Sequence, residues 1–227
     1  MVPSLLRVLI ICFGLSTLVA GAPPPALWEA IETFRTEGPK GWGFTQTTSS
    51  AERNRVETFD PLRPSHLRMS LIRENGAAPT EKELQTYREQ QTRRTGGQTA
   101  PNPTKQMDLA TAELVAEDGP RQQWRFRLKP GATDDTSAEH MHVTLTFHTP
   151  TATIERVVLA NFEPFAPVFT VKVEEARTTI DYSLPTDDRP SLLQQIVVKV
   201  RGRAFYFKSL DSDMTVVYSD HYYAGKH

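Results

Sequence analysis

Residues 141–148 read Met-His-Val-Thr-Leu-Thr-Phe-His, the clearest alternation of apolar and polar side chains in the sequence. A period of two places successive side chains on opposite faces of a β-strand. One face of this strand is therefore expected to be buried and the other to face water, which is typical of an antiparallel sheet. The expected buried face carries Met141, Val143, Leu145 and Phe147.

The same kind of pattern recurs on both sides of this segment, with turn signals such as Asn75-Gly76 between the strands. Short strands at this spacing favour a mainly β (α+β) fold. We expect a curved antiparallel sheet, or open half-barrel, of about 10 to 11 strands, covered by two or three short helices. The other strands are predicted around Trp42 and Phe44 and at residues 56–59, 66–71, 113–116, 122–128, 154–159, 168–173, 179–184, 195–201, 204–208 and 214–218.

The first helix is predicted after Pro23-Pro24-Pro25, because proline suits the first turn of a helix. Leu27, Ile31 and Phe34 follow at the spacing of one helix face, and Gly38-Pro39 ends the pattern. We expect this helix to pack on the sheet.

A second helix is predicted from Thr80, where Thr80-Glu81-Lys82-Glu83 has the form of a capping box, to about Gln91. The segment that follows has almost no apolar side chains, and we interpret residues 92–106 as a mobile insertion in one domain of residues 23–227. A linker between two domains is the alternative interpretation.

The N-terminal segment predicts export. Arg7 is the only charged residue of Met1–Ala22, and the apolar run Val8–Ala20 follows it. A charged start, an apolar core and small residues are typical of a signal peptide, so we expect cleavage near residue 22 and a periplasmic protein. An uncleaved anchor is the alternative. Cys12 is the only cysteine, so the processed chain would have no disulfide.

The charge balance excludes one class of partner. Lys and Arg number 26 and Asp and Glu 27, which gives a formal net charge of −1. A nucleic-acid binder should be clearly basic, so no nucleic-acid partner is expected. The sequence has no phosphate-binding glycine loop, nucleophile elbow or His-Glu-x-x-His motif, and we expect no enzyme activity and no cofactor.

Two histidines on the predicted strand are the best candidate for a metal site. His140 and His142 would point the same way, but a metal needs further ligands, and a solvated strand face is the simpler interpretation. We expect no metal. The adjacent carboxylates Glu174-Glu175 and Asp187-Asp188 point to opposite sides of an extended chain, so neither pair can act alone on one substrate atom.

Three short motifs resemble the LolA/LolB family of periplasmic lipoprotein carriers. They are Gly43-Phe44-Thr45-Gln46, Arg63-Pro64-x-x-Leu67-Arg68 and Phe126-Arg127-Leu128-Lys129-Pro130. The resemblance is spread over residues 27 to 184. It implies an open sheet closed by helices around an acyl-chain cavity, with Arg63 at the mouth and Phe44, Leu67 and Met69 on strands that line the cavity. Residues 80–105 and 161–167 have no counterpart in those carriers.

The aromatic residues either fill a core or line a pocket; among them are Phe205 and Phe207. From the resemblance we expect a monomeric, exported periplasmic binding protein with an apolar cavity, which carries or senses a lipid, acyl chain or lipoprotein. An envelope protein is a further candidate partner. The alternative is an envelope protein of structural role, or a hydrolase, with no ligand cavity. The candidate ligand-binding residues are Phe44, Phe59, Arg63, Leu67, Met69, Trp124, Phe126 and Phe169.

Overall fold

The computed structural model describes residues 22–36, 38–94, 103–132, 137–205 and 207–225. The predicted signal peptide, apart from Ala22, lies outside the described residues, as do residues 95–102 of the predicted insertion. No helix in the described ranges is long and apolar enough to cross a membrane.

The described chain forms twelve strands and four α-helices. The strands are β1 (Trp42–Ser50), β2 (Asn54–Phe59), β3 (Met69–Glu74), β4 (Met107–Asp118), β5 (Arg121–Leu128), β6 (Met141–His148), β7 (Thr153–Asn161), β8 (Phe165–Val168), β9 (Val171–Tyr182), β10 (Leu193–Ala204), β11 (Lys208–Ser209) and β12 (Ser212–Tyr223). The helices are α1 (Pro25–Thr33), α2 (Glu81–Arg94), α3 (Pro103–Gln106) and α4 (Ser137–His140), and Ser65–Leu67 forms one turn of 3-10 helix.

All the strands belong to one antiparallel sheet, in the order β3-β2-β1-β12-β10-β9-β7-β6-β5-β4. The short strands β8 and β11 add to β9 and β10. The sheet is open, with β3 and β4 at its two edges. The predicted fold class, mainly β with short helices on one antiparallel sheet, is confirmed, with 12 strands instead of the expected 10 to 11.

The differences from the predicted strands lie at turns. Leu67, predicted on a strand, lies in the 3-10 helix, because Pro64 starts a tight turn in which the Leu67 amide donates to the Pro64 carbonyl at 2.8 Å. The predicted strand over residues 168–173 is divided into β8 and β9, which fold back on each other. The predicted strand over residues 204–208 is a reversal between β10 and β11.

One face of the sheet carries the core, and the strand register identifies it. Direct cross-strand partners share a face, and one such row crosses the sheet from β5 to β12. We call the face of this row the inner face; the row is Trp124, Leu145, Val157, Ile180, Ile196 and Val216.

The helices cover two separate parts of the inner face. Leu27 and Ile31 of α1 are buried in the core with Trp124 and Phe126, over β5, β6 and β7. At the other end of the sheet α2 packs on β3 and the 3-10 helix. In the described part of the chain no helix packs extensively on β10 or β12, which lie between these two covers.

Candidate functional site

An aromatic group lies on the inner face at the β1–β2 end of the sheet. The rings of Phe44 and Phe59 stack with centroids 4.9 Å apart and planes within 13°. Tyr218 of β12 meets Phe44 edge-on at 5.3 Å, and Met69 is the cross-strand partner of Phe59. The structure therefore brings together three of the predicted ligand-binding residues, Phe44, Phe59 and Met69.

Arg63 and Leu67 lie beside this group, in the connection between β2 and β3. The Arg63 guanidinium approaches Asp60 at 3.4 Å and donates to the Ser70 hydroxyl at 3.2 Å. The Arg63 side chain is 55% exposed, and Leu67 is also exposed. Arg63 is therefore a solvent-facing cation, and its partner Ser70 lies on the face of β3 opposite to Met69 and the aromatic group.

Trp124 and Phe126 occupy a different part of the inner face. Both are fully buried in the packed core beneath α1, and the Trp124 indole donates to the Gln122 side chain at 3.2 Å. Six strand spacings separate β5 from β1, or about 29 Å along the sheet at about 4.8 Å each. Phe44 does not belong to the buried core that contains these two residues.

Phe169 lies far from all of these residues, in the turn between β8 and β9. Its side chain is 88% exposed. The sequence interpretation placed it on an inward-facing strand, but the turn carries it into solvent.

Between the aromatic group and the core lies a stretch of apolar side chains that we call the inner-face strip: Ile196 and Val198 on β10, and Met214 and Val216 on β12. Val216 is buried and the other three are half-buried. The strip continues the core face of the sheet toward Tyr218, past the part that α1 covers.

Sequence reasoning missed a polar cluster under α2. Arg55 forms an ion pair with Glu74 at 2.6 Å, and its guanidinium lies 5.4 Å from the centre of the Tyr87 ring. Glu57 is buried and accepts a hydrogen bond from Gln46 at 3.2 Å. The signal was present in the sequence, because Arg55 and Glu57 share with Phe59 the parity of one strand face.

A cavity of about 440 Å³ lies beside this cluster, between α2 and the β2–β3 hairpin. Arg53, Lys82 and Glu83 contribute to its lining, so its walls are largely charged. Burial, followed by the charge of Glu57, raises the pKa of Tyr87 and raises that of Tyr218 to about 12. Both phenols are therefore neutral at physiological pH and do not act as bases.

The two histidines do not share a strand. His140 ends α4 and stacks on Phe165 with ring centroids 5.1 Å apart, whereas His142 lies on β6 against Phe162. Within the described ranges no three His, Cys, Asp or Glu side chains come together as a metal would require.

Comparison with known proteins does not add to this picture. No protein-family model matches the chain, and no match was found among curated proteins or solved structures. The candidate site is therefore an apolar strip that ends in an aromatic group on the inner face of the sheet.

Proposed function

We propose that this protein is an exported periplasmic binding protein that holds an acyl chain on the inner face of its sheet, between α1 and α2. The inner-face strip carries the proposal, since it extends the apolar core face over strands on which no described helix packs extensively. A partly exposed apolar surface is a candidate binding site for an apolar ligand.

The aromatic group gives the proposed site a closed end. Tyr218 follows the strip on β12 itself, and the stacked rings of Phe44 and Phe59 stand on the same face one and two strands further on. An acyl chain lying along the strip would meet these rings at its end. Arg63, which is exposed in the connection between β2 and β3, would attract the anionic head group of a fatty acid or phospholipid.

Burial of the methylene groups of a long acyl chain supplies enough free energy for micromolar binding. Each buried methylene contributes about 0.8 kcal/mol, so a dozen contribute about 10 kcal/mol. Association and ordering cost about 4 kcal/mol or more. A micromolar dissociation constant corresponds to about 8 kcal/mol, so binding becomes micromolar at a chain length of about 16 or more carbons.

The proposed location rests on the N-terminal sequence, in which Arg7 precedes the apolar run Val8–Ala20. Expression in a bacterium with a periplasm, followed by fractionation and N-terminal sequencing, tests it. We expect a periplasmic protein that starts between Gly21 and Pro23. A soluble cytoplasmic protein that starts at Met1 would contradict export.

Titration with a fluorescent long-chain fatty acid tests the binding site. Ile196→Glu places a charge in the inner-face strip and should weaken binding at least tenfold. Val197→Glu is the matched control, because Val197 is also half-buried but belongs to the opposite face of the same strand. Native mass spectrometry of the purified protein should show added mass from a retained lipid. Absence of saturable binding, or equal loss in both variants, would refute the proposal.

A second candidate is an envelope protein of structural role without a ligand. The observation that favours it is the filled core around Trp124 and Phe126, where the carrier resemblance implied a cavity. The same titration separates the two, since a structural protein would show neither saturable binding nor sensitivity to Ile196→Glu.

A further inference from the structure

Two neighbouring turns at one end of the sheet expose large apolar side chains. The β8–β9 turn carries Val168 and Phe169, and the β10–β11 turn carries Phe205 and Phe207. Their exposed fractions are 54%, 88%, 57% and 85% in that order. The Phe205 amide donates to the Thr170 carbonyl at 2.7 Å, so the two turns lie side by side. We call these four residues the aromatic tip.

The backbone fixes the position of the aromatic tip. β11 pairs with the end of β10, and at Gly202 an added Cβ would lie 2.5 Å from the Lys172 carbonyl oxygen. The Asp211 carboxylate accepts a hydrogen bond from the Gly202 amide at 3.2 Å and holds the reversal. Phe205 has φ of 49°, a conformation that favours glycine or asparagine, so turn formation alone does not account for a phenylalanine here.

Cations surround the aromatic tip. Lys172 and Arg203 are direct cross-strand partners on β9 and β10, and Lys208 follows on β11. No Asp or Glu occurs in residues 168–173 or 202–210, and the nearest acidic residues along the chain, Glu174 and Asp211, line a pocket together with Arg203 and Phe207. Like charges placed opposite each other destabilise a sheet, so this arrangement requires a compensating anion or a functional reason.

The basic residues next to the aromatic tip form ion pairs, whereas those at the tip do not. One step further from the turns, Lys199 pairs with Glu175 at 2.9 Å and Arg201 with Asp213 at 2.7 Å. None of the three tip cations forms an ion pair within the described part of the chain. Three cations, Lys172, Arg203 and Lys208, therefore stand against two nearby carboxylates, Glu174 and Asp211, which leaves a net positive charge available for an external anion.

We propose that the aromatic tip docks the protein on a lipid bilayer that contains anionic phospholipid. Phenylalanine side chains insert at the boundary between head groups and acyl chains, and Lys172, Arg203 and Lys208 contact the phosphate groups. Convex turns that carry single protruding rings fit a soft surface. A stable protein interface takes about 20 to 30 residues a side, which is far more than two turns supply. This docking does not depend on acyl-chain binding by the inner-face strip.

Vesicle sedimentation tests the docking. The mature protein should bind vesicles of phosphatidylcholine and phosphatidylglycerol saturably, and vesicles of phosphatidylcholine alone much more weakly. Added salt should weaken the binding, because exposed charges are screened. Joint Phe169→Ser and Phe207→Ser substitution should reduce binding at least tenfold, and these exposed side chains contribute little to folding.

Matched controls distinguish binding by the aromatic tip from nonspecific binding by other exposed side chains. Joint Leu62→Ser and Ile72→Ser substitution removes two exposed apolar side chains elsewhere and should leave vesicle binding unchanged. Lys172→Gln with Arg203→Gln should abolish the preference for anionic vesicles. The charge control, Lys82→Gln with Arg88→Gln on α2, should keep that preference.

Fluorescence quenching measures directly whether the aromatic tip enters the bilayer. Phe207→Trp adds an indole at the tip, and brominated phospholipids should quench it when vesicles are added. The tip variants should keep fatty-acid binding, and Ile196→Glu should keep vesicle binding, so the two proposals fail separately. No binding to anionic vesicles, or unchanged binding by the phenylalanine variant, would overturn the docking proposal. A protein partner lost only by the tip variants, without vesicle binding, would also overturn it.

Discussion

Arg55 and Glu74 form an ion pair that is only 11% and 12% exposed at its two side chains. Removal of one partner from a pair so little hydrated leaves a charge without compensation. We expect Glu74→Gln to lower the free energy of unfolding by about 2–4 kcal/mol. The exposed pair of Arg125 and Glu113 is the control, and Glu113→Gln should cost less than about 1 kcal/mol. Urea titration measures both, and equal losses would contradict the argument.

His142 makes stability depend on pH. Its Nδ1 atom is buried and has no hydrogen-bond partner in the described part of the chain. Burial, and then the charges of Arg125 and Arg177, lower its pKa. The unfolded chain therefore takes up a proton at a higher pH, near about 6.5, than the folded chain does. The stabilising contribution of neutral His142 is complete above that pH and is lost as the pH falls toward its folded pKa.

We accordingly expect the free energy of unfolding to fall between about pH 7 and pH 5.5. The pKa of His221 is lowered by burial as well, so His142→Gln should reduce this slope without removing it. His66→Gln, in the exposed 3-10 helix, should leave the slope unchanged. Denaturation curves measured across this range check the prediction. An equal slope in the unaltered protein, in His142→Gln and in His66→Gln would refute the assignment of this pH dependence to His142.

At the scale of single elements, α2 depends on its cap. The Thr80 amide donates to the Glu83 carboxylate at 2.7 Å, and the Glu83 amide donates to the Thr80 hydroxyl at 3.3 Å. Thr80→Ala should therefore cost about 1 kcal/mol in thermal or urea unfolding. Thr86→Ala, inside the same helix, should be neutral or slightly stabilising because alanine has the higher helix propensity. A loss of similar size at Thr86 would show that the cap is not responsible.

Elements with a regular hydrophobic pattern or a capping motif could be predicted from the sequence. Turns that contain no Gly, Pro, Asn or Asp could not. The alternation of residues 141–148 and the capping box at Thr80 are local signals, and both elements are present. The turn at Phe169 has no Gly, Pro, Asn or Asp, so an apolar run conceals it. The reversal after Gly202 did leave a signal, because glycine inside a strand pattern often marks a bulge. Because the phenylalanines of the aromatic tip continue these apolar patterns, the sequence predicts strands where the structure has turns.

For the whole molecule, the inner face has a filled part and an unfilled part. Leu145 and Ile196 belong to the same cross-strand row, but Leu145 is fully buried and Ile196 only half-buried. Leu145→Ala should cost about 2–5 kcal/mol because it leaves a cavity. Ile196→Ala should cost about 1 kcal/mol, since little packing is lost. Equal costs in urea unfolding would mean that the strip is packed as tightly as the core.

The division of the inner face could not be predicted from the sequence. Strand parity shows which side chains face inward, and it places Phe44, Trp124 and Phe126 correctly on one face. Which of them a helix covers depends on how the distant segment α1 lies across β7. That contact joins parts of the chain more than 100 residues apart, so local sequence patterns do not predict it.

The sheet order places β1 directly beside β12, so the strands nearest the two ends of the described chain are hydrogen-bonded neighbours. The β1–β3 segment can join the rest of the sheet only after β12 has been synthesised. Pairing over so long a sequence separation is slow. Until β12 emerges, the β1–β3 segment has no strand of the larger sheet to pair with, although β4 to β10 can already pair with one another.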